Sequence, residues 1–240
     1  MTKSTVEQIR ARFDNDVERF SNLSTGQSAQ IDSPLILELI SSSAAATNPS
    51  ATQLLDVGCG AGNYTLKLLQ KLPNLNVTLI DLSKPMLDRA QQRIRPATTG
   101  AITPMQGDIR DLDLPRERFD IILAAAVLHH LRGDDEWLAV FQKFHAALKP
   151  SGSLWISDFI SHQLPAVQQI MWQRYGQYLT NLKDETYRDQ VFAYTDQEDT
   201  PRDLIFQFDT LRQAGFKQIE LLHKNNCFAA FGAIKDQTRG

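Results

Sequence analysis

Cysteine is almost missing from this chain: Cys59 and Cys227 are the only two in 240 residues. They are too few and too far apart for a disulfide framework or a spaced zinc cluster, so a reducing cytoplasmic setting and no bound metal are expected. Long apolar runs are missing too, and no window reaches the roughly 18 residues of a membrane span. The opening "MTKSTVEQIRARFDNDVERF" is interrupted by acids, unlike a secretory leader. Positive charge is not in excess: 25 Lys and Arg stand against 28 Asp and Glu, a formal net charge of -3. That balance supplies no electrostatic footprint for direct nucleic-acid binding or for an anionic membrane. What is present is 42% hydrophobic residues, enough at this length for one sizeable core. One domain over 1–240 is expected.

Val6, Ile9, Phe13, Val17 and Phe20 recur at helical spacing between charges, which predicts an amphipathic helix packing a core stripe on the domain. The polar loop Ser21 to Asp32 is suited to act as a lid. Ser33-Pro34 then supplies a cap and a first-turn proline for a second helix. "SSSAAATNPS", Ser41 to Ser50, reads as an exposed connector. These first 50 residues precede a change of pattern. From residue 51 to 159 the short apolar runs "QLLDV", "NVTLID", "AITPMQGD", "FDIILAAA" and "GSLWISDF" alternate with helical stretches Asn63 to Lys71, Lys84 to Arg95 and Asp134 to Leu148. Such alternation builds βα units around a mostly parallel sheet. Leu164 to Thr195, within a 160–200 segment, breaks it as a helical, aromatic cap carrying Trp172, Tyr175 and Tyr178. Residues 201–240 add a helix starting near Thr200, Pro201 and Asp203, then strands "FKQIELL" and "CFAAFGAI" joined by "HKNN".

The turn Gly58-Cys59-Gly60-Ala61-Gly62 sits between a strand and a helix. Glycines there let a ligand approach the backbone, and the helix start offers unpaired N–H groups. The spacing is G-x-G-x-G, and Asp56 stands just ahead of it. A carboxylate in that place repels a pyrophosphate but suits a cationic, phosphate-free nucleoside, and S-adenosylmethionine carries both an ammonium and a sulfonium. Asp81 ends the next strand 23 residues past Gly58 (81 − 58), close to the spacing at which an acid meets ribose hydroxyls. Asp108 ends the third strand, placed to accept from an adenine amino group, while Ile109 offers a backbone N–H and Leu82, Met86 and Ile109 sandwich the ring. Cys59 is expected to contribute contact rather than chemistry.

"LLDVGCGAG", "LIDLSKPMLDRA", "GDIRDL", "FDIILAAAVLHHL" and "LKPSGSLWISDF", in this order over about Gln53 to Phe159, resemble the ordered motifs of class I S-adenosylmethionine-dependent methyltransferases. The resemblance implies a Rossmann-like, doubly wound seven-stranded sheet, mostly parallel with an antiparallel last strand, here with a helical cap. It also implies that Gly58, Cys59 and Gly60 face the methionine part, Asp81 and Leu82 the ribose, Asp108 and Ile109 the adenine, and Ala125 the sulfonium side. The product would be S-adenosylhomocysteine. A narrower likeness, "RFDNDVERF" with "AGF" and "CFAAFGA", is to carboxy-S-adenosylmethionine synthases of tRNA modification, but Thr210 stands where their arginine is expected, which favours the ordinary donor. Methyl transfer to a small-molecule acceptor is the expected activity, with a carboxy-S-adenosylmethionine synthase-like enzyme of tRNA modification or S-adenosylmethionine binding without transfer as the alternatives and a homodimer compatible with it. Displacement at a sulfonium depends mainly on positioning. His129, His130 and His162 are candidates for taking a proton from the acceptor, and none is assigned as catalytic.

Overall fold

The structure, a computed structural model, describes residues 3–22 and 27–237. Seven strands form one sheet in the order β3-β2-β1-β4-β5-β7-β6. They are β1 Gln53–Val57, β2 Asn76–Asp81, β3 Ile102–Gln106, β4 Phe119–Ala125, β5 Leu148–Phe159, β6 Gln218–Asn225 and β7 Phe228–Ile234. The first five run parallel, and β7 is antiparallel to both β5 and β6. This is the doubly wound, seven-stranded Rossmann-like arrangement that the motifs imply. Chain order reverses between β1 and β4, the switch point at which such sheets open a crevice beyond their carboxyl ends.

Both faces of the central strands are buried because alternate side chains enter different cores. Leu54, Ile121 and Leu123 face a layer built with Ile36, Leu68, Leu87 and Ile94, while Leu55, Ile122 and Ala124 face Trp137, Phe141 and Phe144. The helices that supply these layers are α3 Ser33–Thr47, α4 Asn63–Leu69 and α5 Lys84–Ile94 on one side, with α6 Asp134–Ala147 and α9 Leu204–Gln213 on the other. Ser83 caps α5 by accepting from Met86 N, and Asp203 caps α9 by accepting from Ile205 N and Phe206 N.

Several local expectations differ from the structure. The N-terminal helix is two helices, α1 Val6–Asn15 and α2 Val17–Ser21, broken at Asp16. The stretch read as a connector after Ser41 continues α3 to Thr47, because Ser41 and Ala44 are small enough to be buried against the sheet. The cap is a helical hairpin, α7 Pro165–Leu182 and α8 Glu185–Glu198, whose second helix starts at an Asp184 cap and outruns Thr195. β6 consumes most of "HKNN", and the turn falls at Asn226, in the left-handed region at φ 54°. Of the loop expected to act as a lid, residues 23–26 lie outside the described residues. Ser21 closes α2, while Tyr175 and Tyr178 of α7 donate their hydroxyls to Ala29 O and Ser28 O, which pins the far end of the loop to the cap. Among the described residues, no helix is long and apolar enough to cross a membrane.

Candidate active site

A cavity of about 250 Å³ lies beyond the carboxyl ends of β1, β2, β3 and β4, with the N-terminal helices and the cap over it. Its wall includes Asp56, Gly58, Cys59, Gly60, Asp81, Leu82, Met86, Asp108, Ile109 and Ala125. All ten positions singled out in the sequence therefore meet in one place.

The glycine turn is shaped from both sides. Gly58 has φ +65°, and a Cβ there would meet Val127 Cγ2 at 2.5 Å, so the turn packs against the loop that follows β4. Gly60 has φ +50°, and a Cβ built on it would meet nothing within 4 Å. Its backbone is thus bare toward open space, as a cradle for a ligand requires. Asp81 holds the turn in register: one oxygen accepts from Gly60 N at 2.8 Å and the other from Ser83 N at 2.9 Å. Burial pushes this carboxyl up to about 6 against the pull of those bonds. Asp56 is more deeply buried and accepts from Thr65 Oγ1 at 2.6 Å. Burial, with the neighbouring Asp81 charge, pushes it up to about 7. Two carboxyls that hold their protons too tightly beside a bare glycine form a site short of one positive charge. The Cys59 thiol is buried and pushed well above its ordinary range by burial and by the same two acids, which makes it a poor nucleophile.

Asp108 lies on the wall, but its carboxylate is already engaged. Arg110 donates Nη2 to Oδ2 at 2.6 Å, Nε to Oδ1 at 3.0 Å and its backbone N to Oδ1 at 2.9 Å. Burial opposes ionisation there, yet the guanidinium holds the carboxyl below its ordinary value. An adenine amino group would share this acceptor with Arg110. Lys143 of α6 locks the loop from behind, donating to Ile109 O, Arg110 O and Leu112 O at 2.6, 2.9 and 2.7 Å. Ala125 ends β4, and Ala126 next to it adopts φ 53°.

The largest correction concerns the N-terminal stripe. Val6, Ile9, Phe13 and Phe20, read as core, line the cavity from above, together with Arg12 and Arg19. Amphipathic spacing marks an apolar face but not what that face covers. The helices are strapped down at both ends. Arg12 Nε donates to both Glu198 oxygens at 2.8 Å, Asn63 Nδ2 donates to Phe20 O at 3.0 Å, and Arg89 pairs with Glu18. Of the cap aromatics, Tyr175 and Tyr194 reach the cavity, whereas Trp172 stacks on Phe192 at 4.3 Å within the aromatic cluster that also holds Phe159 and Tyr175, and Tyr178 holds the loop. The cap is part wall and part scaffold.

His129 and His130 follow β4 and both line the cavity, while His162 lies at a separate shallow groove. Asp158, fully buried near the end of β5, accepts from Leu128 N at 2.9 Å and His129 N at 3.2 Å and bonds His129 Nδ1 directly. His129 Nε2 lies 3.7 Å from Asp199 Oδ1, and His130 Nδ1 lies 3.4 Å from the same oxygen. Burial lowers His129, but Asp158 and Asp199 outweigh it and push the imidazole up to about 9. His130 goes the other way, well below its ordinary value, through burial and the His129 charge. Among the described residues, donor atoms of His129, His130 and Asp199 come within 4.8 Å of one another, a spacing that also suits a cation. The guanidiniums of Arg12 and Arg132 act on the His130 imidazole and oppose a further positive charge there. Asp158 and Asp199 escaped the sequence reading; "SDF" at the fifth strand end was the only cue to the first, and nothing local marked the second.

The sheet order and the cleft define a Rossmann-like domain with its cavity at the switch point. Comparison with known proteins narrows this. Residues 54–152 match the methyltransferase domain family. An uncharacterized methyltransferase of Mycobacterium tuberculosis is 31% identical over 125 residues, covering 52% of this chain and 58% of that protein. A malonyl-(acyl-carrier protein) O-methyltransferase of Haemophilus ducreyi is 28% identical over 171 residues, covering 71% of this chain and 63% of that protein. The chain thus spans little more than half of the first of these relatives. Human N-acetylserotonin methyltransferase, solved with S-adenosylmethionine, superposes with a TM-score of 0.61 at 16% identity, covering 97% of this chain and 58% of that one. The cyclase SpnF superposes with a TM-score of 0.67 at 13% identity over 99% of both chains. Likeness at these identities reports the fold. Residues 54–152 are thus similar to the methyltransferase domain family, on a fold shared with solved S-adenosylmethionine-dependent methyltransferases.

Proposed function

We propose that this protein binds S-adenosylmethionine in the cavity and transfers its methyl group to a small-molecule acceptor. The observation that carries the reading is the juxtaposition of Asp56 and Asp81, both buried and reluctant to ionise, with the open backbone of Gly60. A ligand with cationic groups and no phosphate relieves those carboxyls, whereas the pyrophosphate of NAD would add to the repulsion. The donor supplies an already activated methyl carbon, so this chain's own work is binding, orientation and exclusion of water. Asp56 would face the ammonium, Asp81 with Leu82 the ribose, Asp108 with Ile109 the adenine between Met86 and Leu82, and Ala125 the reacting sulfur. The helices α1 and α2, strapped across the opening, would keep water from the reacting centre.

Acceptor size follows from enclosure: the cavity is roofed by Phe13 and Phe20 and floored by strand ends, which suits a compact molecule better than a nucleic acid. No arginine of α9 supports the carboxylated donor, since Thr210 is buried with its hydroxyl on Phe206 O and Arg212 pairs with Asp209 on the outside. Fold alone does not separate transfer from other chemistry, as the likeness to a cyclase illustrates. The test is calorimetry followed by turnover. S-Adenosylmethionine should bind and NAD should not, and Asp81→Ala should weaken the nucleoside by roughly 100-fold, the size expected for bonds to a charged acceptor. Preferential NAD binding, or unchanged affinity in the variant, would remove the reading. Release of S-adenosylhomocysteine with an acceptor then separates an enzyme from a protein that only binds.

A further inference from the structure

The same cavity is also walled by a second set of side chains, and their chemistry differs from that of the glycine turn and its carboxyls. Phe13 and Phe20 come down from α1 and α2, Tyr175 and Tyr194 from the cap, and Phe159 and Phe228 from the ends of β5 and β7. Aromatic rings from three separate parts of the chain thus surround one space, with Phe159 and Phe228 5.5 Å apart and Tyr175 edge-on to Phe228 at 5.2 Å. Such a box favours a flat apolar body. Its polar groups are few and mostly occupied. Arg12 is committed to Glu198, and Gln30 Nε2 donates to Ser157 Oγ at 2.8 Å. Among the polar groups that line it, His130 and Asp199 sit beside the imidazole of His129, whose Nδ1 is fixed by Asp158 and whose Nε2 lies 3.7 Å from Asp199 Oδ1.

On the reading above, we infer that this region is the acceptor site, that it takes a compact, uncharged aromatic molecule bearing one O–H or N–H, and that His129 Nε2 removes that proton. A bond forms between the acceptor's oxygen or nitrogen and the methyl carbon while the carbon–sulfur bond breaks and its electron pair stays on sulfur. The acceptor's proton passes to Nε2, and Asp158 balances the imidazolium that results. His129 is then the catalytic residue and Asp158 its positioning residue, because the carboxylate touches the ring and not the acceptor. An anionic acceptor is disfavoured, since Asp199 would face it while Arg12 and Arg19 are already paired with Glu198 and Asp16.

The groups facing His129 come from three further elements: Asp158 from β5, Asp199 after α8, and Arg12 from α1, with His130 beside it on its own turn. The two carboxylates outweigh burial and Arg12 and hold the imidazole at about 9. The unprotonated form that accepts a proton is therefore scarce at neutral pH and grows toward pH 9. Turnover should rise with pH up to that value.

The experiment uses the full chain and S-adenosylmethionine with 1-naphthol, 1-naphthylamine and 1-naphthoate as probes, reading release of S-adenosylhomocysteine from pH 6 to pH 10. The neutral naphthol or naphthylamine should turn over and the naphthoate should not. His129→Gln should lower kcat by about 10²–10⁴-fold with S-adenosylmethionine affinity held within about threefold, and Asp158→Asn should move the pH midpoint down toward ordinary histidine. A His129→Gln variant that no longer binds the donor has lost its fold, and Asp158→Asn then decides by its pH profile alone. Failure of the wild-type protein to bind the donor defeats the proposed function itself. Binding without turnover of either neutral probe, preference for the naphthoate, an unmoved pH midpoint, or activity abolished by a chelator and restored by a divalent cation would each overturn this assignment.

Discussion

Replacing Asp56 by Asn removes a charge that the ligand-free protein holds at a cost. The carboxyl sits at about 7 against an ordinary 3.8, mainly through burial, with Thr65 donating to it and Asp81 as a like charge nearby. The difference, 7 − 3.8, corresponds to on the order of 4 kcal/mol when the group is ionised. The sign follows from which state binds the proton more tightly. The folded protein does, so this group's contribution is complete below pH about 3.8 and is lost as pH rises through 7. Asn keeps the shape and can still accept from Thr65, but it cannot ionise. Above pH 8 the variant should therefore be the more stable form. If half the cost survives relaxation, its melting temperature rises by about 4–8 °C for a chain of this size. The gap should shrink when the melts are repeated at pH 5.5. Binding tells the other half: at pH 7 the cation of S-adenosylmethionine should drive protons off the wild-type carboxyl, detected by calorimetry in buffers of different ionisation enthalpy. Asp56→Asn should lose that release and weaken S-adenosylmethionine at least about tenfold, while sparing 5′-methylthioadenosine, which lacks the charged methionine part. Equal losses for both nucleosides, or a stability gap that does not move with pH, would refute the reasoning.

Two further substitutions test the frame around that carboxyl. Gly60→Val should fill the open cradle and cut nucleoside affinity by at least about tenfold in calorimetry, while costing stability only the 1–2 kcal/mol or so of a left-handed residue. Trp137→Ala should cost about 3–5 kcal/mol in urea unfolding, because the indole is fully buried and packs edge-on against Phe141 and Phe206 at 5.7 and 6.1 Å.

That the glycine turn and the three carboxylates share one cavity was legible because these residues are local. Asp56 and Gly60 are bound to one strand–turn–helix unit, and Asp81 and Asp108 stand at strand ends whose parallel pairing follows from the βα alternation. Strand β1 was readable to the residue for the same reason: its apolar run is too short for a helix and is cut off by the glycines. The aromatic wall and the grip of Asp158 on His129 were not legible. Phe13 and Tyr194 are separated by most of the chain, and Asp158 meets His129 only through the pairing of β4 with β5. The pattern of α1 misled for a similar reason, since an apolar face over a cavity and one over a packed core are spelled identically. Ser41 to Thr47 misled through composition: small polar residues resemble a connector, yet they let α3 lie close on the sheet.

By itself the sequence determined the strand order's starting pattern, the glycine turn and the three carboxylates, because each depends on neighbours a few residues away and on the period of the backbone. Only the tertiary structure decided that Asp108 is shared with Arg110, that the N-terminal helices roof the cleft, and that one imidazole is gripped by a carboxylate from the next strand. Those are contacts between residues far apart along the chain, and their energies exist only once the sheet has brought the partners within reach.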